Sequence, residues 1–174
     1  MGPYRTEGWG GFSTHHVISR SVRDSAALLD ATHGPEYGSR YSAPEPDGSF
    51  LSNVRRKPGR LRIAVMAAPL SGAPVDAECL AVLNETVRLC ESLGHHVEQA
   101  APKLDAAALG QASFVMIASS LAVDLGDRAR QLGIALGPEV LEPITLAFVG
   151  YGQTTTGADF ARANNTMQSA AVSV

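Results

Sequence analysis

Gly59-Arg-Leu-Arg-Ile-Ala-Val-Met-Ala67, then a helix-like run from Asp76, then Glu91-Ser-Leu-Gly-His-His-Val-Glu-Gln99, together decide the fold class. Leu61 to Ala67 is short, apolar and β-branched between Gly59 and Pro69, the pattern of a buried strand. Asp76 suits a helix N-cap, because its carboxylate can accept an orphan N–H of the first turn. Leu80, Leu83, Val87 and Cys90 then recur on one helical face, and Gly94 supplies a left-handed stop. His95 to Gln99 reads as a second short strand. Strand, helix and strand over 61–99 predict an α/β chain with a parallel pair and a right-handed crossover.

Working outward, residues 1–14 are a glycine-rich loop, and His15 to Ser19 are expected to form a short strand around Val17 and Ile18. Ser21 should cap a helix with Asp24 in its first turn, Val22, Ala26 and Leu29 on one face, and Gly34-Pro35 as the stop. Residues 35–59 are rich in proline, glycine and serine without periodicity, which predicts a long loop. From 104 to 174 the chain should be mostly helical. Leu104 to Leu132 carries Phe114, Ile117, Leu121 and Leu125 on one face. Glu139 to Val149 is a further helix, and a last one opens at Thr156 or Gly157 and runs through Phe160 and Met167 to Val174. An uncapped final helix and a glycine loop with almost nothing before it suggest a piece of a larger fold, read as one partial domain over 1–174.

A chain of 174 residues has the length of one domain. Hydrophobic residues make up 45% of it, with a mean hydropathy of +0.02, a globular composition. Its net charge of −3 and pI near 5.9 give no general attraction to nucleic acid or to an anionic membrane. Cys79 and Cys90 lie three helical turns apart, about 16 Å, whereas a disulfide needs Cα atoms within about 7 Å. Free thiols are expected, as in a reducing cytosol. No apolar run is expected to reach the ~18 residues of a membrane helix, and no secretory leader is visible, so the location expected is cytoplasmic.

Ser19-Arg-Ser-Val-Arg-Asp24 with Ala26-Ala-Leu-Leu-Asp30, Gly34-Pro35, Gly59-Arg-Leu-Arg-Ile-Ala-Val65 and Glu91-Ser-Leu-Gly-His-His-Val-Glu98 resemble, in order, recurring segments of the amidase signature family. These are serine hydrolases that cleave amide bonds. Gly8-Trp-Gly-Gly-Phe12 and Ser39-Arg-Tyr-Ser42 are similar to the branch containing 6-aminohexanoate cyclic dimer hydrolases. Where many members carry Gly-Pro, this chain has His16-Val17. The resemblance implies a mixed central β-sheet flanked by helices, incomplete in this chain. It also implies Ser-cisSer-Lys chemistry without a cofactor: a lysine activates the middle serine, which activates the nucleophile to form an acyl-enzyme. Backbone N–H groups of a glycine-rich turn hold the oxyanion. Within the family the 7–34 stretch follows the nucleophile, so the resemblance places no catalytic residue in this chain.

The residues agree with that reading. Of the two lysines, Lys57 sits in Arg55-Arg-Lys-Pro-Gly-Arg60 and Lys103 follows Pro102, and neither lies at an apolar strand end. Gly10-Gly-Phe-Ser13 is only superficially like a Gly-Gly-Ser nucleophile turn. His15, His16, His95 and His96 stand in adjacent pairs that point to opposite faces of a strand, so an incidental or hydrogen-bonding role is expected and a metal site is not. Ser119-Ser120 reads as helix packing, the basic residues from Arg55 to Arg62 as a solvated strand entry, and Arg20 with Asp24 as a structural charge pair or cap. Trp9 and Phe12 are the substrate-binding candidates, since aromatic side chains on a glycine-rich loop suit an apolar amide; the alternative is that they cap the core under the loop.

The expectation is therefore part of an amidase acting on small linear or cyclic amides, inactive by itself. The alternative is a non-catalytic module that pairs with a partner chain. Expected partners are a small amide in the complete enzyme and either a second copy or the missing half, with no nucleic acid, membrane, metal or cofactor.

Overall fold

The structure, a computed structural model, describes residues 8–35 and 43–173. The first residues of the N-terminal loop, Ser39 to Ser42 with the rest of 36–42, and Val174 lie outside the described residues. The chain divides into two compact units, Met1–Gly59 and Arg60–Val174.

In the first unit a 3-10 turn, Gly8–Gly11, precedes α1 (Val22–Thr32) and the single helical turn α2 (Phe50–Asn53), which lies inside the expected long loop. Ser21 caps α1 as expected, its Oγ accepting the N–H of Asp24 at 3.1 Å. The charge partner of Asp24 is Arg23, at 3.7 Å, and not Arg20. Ala26 is buried and Leu29 half-buried. His15 to Ser19 is not a strand. A strand needs a neighbour for its backbone N–H and C=O groups; none lies among the described residues of this unit, and Ile18 is fully exposed.

In the second unit β1 (Arg62–Val65), α3 (Ala77–Ser92) and β2 (His96–Gln99) form the strand–helix–strand unit, with β1 and β2 parallel. The register pairs Arg62 with His96 and Val65 with Gln99. Asp76 caps α3 through the N–H of Glu78 at 2.8 Å, and Gly94 turns the chain out at φ 90°. Leu80, Leu83, Val87 and Cys90 are the half-buried residues of α3, the face that sequence periodicity predicts. Both cysteines are free. The expectation of a buried β1 is corrected. Only Val65 is buried, Ile63 is half-buried and Leu61 is exposed, because side chains are buried by layers on the faces of a sheet, and a sheet of two strands among the described residues offers little face to cover. The α/β class stands, with helix far outweighing strand.

The remainder is helical: α4 (Ala106–Leu132), α5 (Pro143–Thr154) and α6 (Gly157–Val172). α4 packs on both of the others. Toward α6, Ala112, Val115 and Met116 join Ala163, Phe160 and Met167 in the main core cluster. Toward α5, the Phe114 ring meets Phe148 at 4.7 Å and Tyr151 at 4.6 Å. The predicted stripe of Phe114, Ile117, Leu121 and Leu125 is thus half-buried, and the most buried row is one of small and flexible residues. α5 opens at Pro143, not at Glu139. Pro is accepted at a first helical position but disfavours helix in the residue before it. α6 begins with a capping box, Thr156 and Asp159 each accepting the other's backbone N–H, at 3.1 and 3.0 Å. The expectation that no apolar run reaches membrane length is also corrected: the 27 residues of α4 are long and apolar enough to cross a bilayer. In this fold α4 packs on two helical neighbours, and 22% of that apolar stretch is buried.

Candidate functional site

Trp9 and Phe12 sit on the turn Gly8–Gly11, which is built from successive left-handed residues: Trp9 (φ 52°, ψ 42°), Gly10 (φ 65°) and Gly11 (φ 95°). Gly tolerates such angles freely. A bulky residue there carries strain of about 1 kcal/mol or more, held only by the surrounding turn. Phe12 N–H closes the turn on Trp9 C=O at 3.3 Å. Both rings stand out from the surface, 44% exposed for Trp9 and 38% for Phe12. The turn therefore presents two aromatic faces to solvent and draws neither into a core.

Beyond the turn, the chain is latched to α1. His16 Nε2 lies 2.7 Å from Ser25 Oγ. Ser19 Oγ donates to Ser21 C=O at 3.0 Å. Ser19, Arg20, Ser21, Val22 and Ser25 line a shallow, open depression of about 360 Å³, whose lining includes neither Trp9 nor Phe12. At the other end of α1, the Asp30 carboxylate accepts the N–H groups of Phe50 (2.6 Å) and Leu51 (3.0 Å). These are the first two amides of α2, which no intrahelical carbonyl can satisfy. His33 packs edge-on to Phe50, centroids 5.5 Å apart.

The sequence marks Asp30 only as the end of the Ala-Ala-Leu-Leu-Asp segment, and nothing in its spacing announces partners twenty residues away. The His16–Ser25 contact is hidden from the sequence for the same reason. The hydrogen-bonding role expected of the histidines holds for His16 and for His95, whose Nδ1 accepts Leu61 N–H at 3.3 Å. His96 stands 3.8 Å from Glu98. Arg62, donating to Glu98 at 2.8 Å, holds that carboxyl below its ordinary value, chiefly through this hydrogen bond. Among the described residues, no group of three or more His, Cys, Asp or Glu side chains could hold a metal ion. Ser119 Oγ donates to Val115 C=O at 2.7 Å, in keeping with its packing role. Lys57 and Lys103 are both exposed.

The Amidase family model matches residues 10–145, and the chain belongs to the Amidase family. It is 30% identical over 151 residues to the 6-aminohexanoate-cyclic-dimer hydrolase of Paenarthrobacter ureafaciens, covering 83% of this chain and 30% of that one. The solved structure of a 6-aminohexanoate cyclic dimer hydrolase complexed with substrate superposes at a TM-score of 0.75 and 26% identity, over 90% of this chain and 33% of that one. A more distant relative, one of the subunits of the glutamyl-tRNA(Gln) amidotransferase of Staphylococcus epidermidis, is 33% identical over 103 residues, 59% of this chain and 21% of that one. The chain spans about a third of the length of the cyclic dimer hydrolases it matches.

Proposed function

We propose that this chain is the later portion of an enzyme that hydrolyses carbon–nitrogen amide bonds of small linear or cyclic amides through an acyl-enzyme. The observation that carries the reading is the superposition on a cyclic dimer hydrolase over nine-tenths of the chain. In this reading the fold is part of a larger mixed central sheet, to which β1 and β2 contribute, and residues 1–174 are a single partial amidase domain. Trp9 and Phe12 line the substrate pocket of the complete enzyme, where an apolar methylene chain would lie against their rings. The location is cytoplasmic, in keeping with the free Cys79 and Cys90.

The chain by itself is inactive. Acyl-enzyme formation needs a nucleophile activated by a neighbouring base and an oxyanion site. The resemblance leaves the serines and the lysine of that machinery outside this chain, and exposed Lys57 and Lys103 do not replace the lysine. Purified chain offered simple aliphatic amides should show only the background rate. Turnover that Ser13→Ala abolishes would overturn this.

A second reading, a non-catalytic module that pairs with a partner chain, is favoured by the large apolar side chains left exposed on either side of β1, on α3 and in the α4–α5 region. It shares with the first the need for a partner, and a relative named as part of a multi-subunit enzyme is compatible with both.

A further inference from the structure

Thr32, Thr86, Ser119 and Thr166 each donate their hydroxyl to the carbonyl four residues earlier in the helix, at 2.7 to 3.0 Å. Ser25, at the start of the second turn of α1, directs its Oγ elsewhere, to His16 Nε2 at 2.7 Å. With the imidazole proton on Nδ1, Nε2 accepts the proton of the serine hydroxyl. A hydroxyl held at that distance from an unprotonated imidazole nitrogen is the pairing of a nucleophile with its general base.

The surroundings give the pair room for a substrate. Ser25 lines the depression of about 360 Å³ with Ser19, Arg20, Ser21 and Val22, a volume at the lower end of small-ligand sites. Side chains of a helix tilt toward its N-terminus, so Ser25 Oγ leans over the first turn of α1. There Ser21 Oγ accepts the N–H of Asp24 at 3.1 Å, and Ser21 C=O accepts that of Ser25 at 3.1 Å. The N–H groups of Val22 and Arg23 have no carbonyl within the helix to bond. An oxyanion formed on a carbonyl attached to Ser25 would therefore sit at the positive end of α1.

We propose that Ser25 and His16 form an esterase site of this chain's own, which takes small esters of acidic alcohols such as phenols. Ser25 Oγ attacks the ester carbonyl while its proton passes to His16 Nε2. The bond from the carbonyl carbon to the aryl oxygen then breaks, and the leaving phenol takes the proton from His16. Water, admitted by the open depression, attacks the acyl-serine with His16 as base, which releases the acid and restores the hydroxyl. The inactivity proposed above concerns amides, and it stands. The adduct of an amide expels the serine alkoxide in preference to a far more basic amine anion, whereas a phenol, with a pKa of about 10, leaves first. The site does not depend on the amidase reading, and its lining includes neither Trp9 nor Phe12.

The test offers the purified chain 4-nitrophenyl acetate and, separately, diisopropyl fluorophosphate. The expected result is release of 4-nitrophenolate above the buffer rate, and a phosphoryl group that peptide mapping places on Ser25. Mapping separates this site from other nucleophiles such as the exposed thiol of Cys79. Ser25→Ala should remove the label, and His16→Gln should slow both labelling and ester turnover at least tenfold with helix content unchanged. Glutamine keeps an acceptor for the serine hydroxyl but is no base, so a bond with only a structural role would survive that change. If Ser25→Ala melts α1, the peptide map of the parent and His16→Gln still decide. The proposal is overturned if Ser25 takes no label, if the label falls on other residues, or if His16→Gln reacts as fast as the parent.

Discussion

Two glycines of α5, two residues apart, should respond to alanine with opposite signs. A Cβ on Gly150 would meet nothing within 4 Å. A Cβ on Gly152 would overlap the carbonyl of Ala118 in α4 and come within 2.9 Å of Ala122 Cβ. Alanine in a helix interior is better than glycine by about 1 kcal/mol. Gly150→Ala should therefore stabilise by up to about that amount. At Gly152 the same gain meets a backbone obstacle that no rotamer change can relieve. Parting the helices would loosen the Phe114 contacts with Phe148 and Tyr151. Overpacking of this kind costs up to about 3 kcal/mol, leaving a net loss of about 2 kcal/mol. For the unit Arg60–Val174 this lowers Tm by about 8 °C, and Gly150→Ala should raise it by about 4 °C. Thermal unfolding followed by helix circular dichroism reads both. If Gly152→Ala matches or exceeds Gly150→Ala in stability, the close α4–α5 approach is wrong.

Asp30→Ala strips the two leading amides of α2 of their acceptor and should cost about 1–2 kcal/mol, seen as fast hydrogen exchange at Phe50 and Leu51 while α1 stays protected. Asp159 is held at a pKa of about 2, against 3.8, first by the Thr156 hydroxyl, then by the Thr156 N–H and by Arg162. A depressed carboxyl supports folding above its unfolded pKa and loses that support as pH falls through the folded one. α6 should therefore lose helicity between about pH 4 and pH 2, and Asp159→Asn should flatten that limb; an unchanged limb would remove the capping box as its cause. In a catalytically active assembly, Trp9→Ala should raise KM for an apolar amide about tenfold, equivalent to about 1.4 kcal/mol, with kcat little changed. An unaltered KM would take Trp9 out of the pocket.

Local rules carried much of the structure. Ser21, Asp76 and Thr156 cap helices because capping is decided within three residues, and β1, α3 and β2 follow from periodicity and Gly94. What failed was decided at a distance. His15 to Ser19 has strand chemistry but no neighbouring strand, and β1 has a core composition without a core around it. Pro143, by contrast, was legible: the residue before a proline resists helix, which rules out a continuous helix from Glu139. The site divides in the same way. The left-handed turn follows from its glycines, but the latch from His16 to Ser25 and the reach of Asp30 to α2 cross 9 to 21 residues of chain and leave no periodic trace.

The apolar character of α4 bears on how the protein is made. Its two covering helices follow it in the chain, and α6 is complete only at Val172, about 40 residues after α4 ends. At synthesis rates of about 5–20 residues per second, that is an interval of about 2–8 s. During it, a helix with the length and hydropathy of a membrane span has been made before its partners exist. Whatever first receives this stretch, whether chaperone, insertion machinery or the emerging α5, decides whether the chain reaches the fold described here.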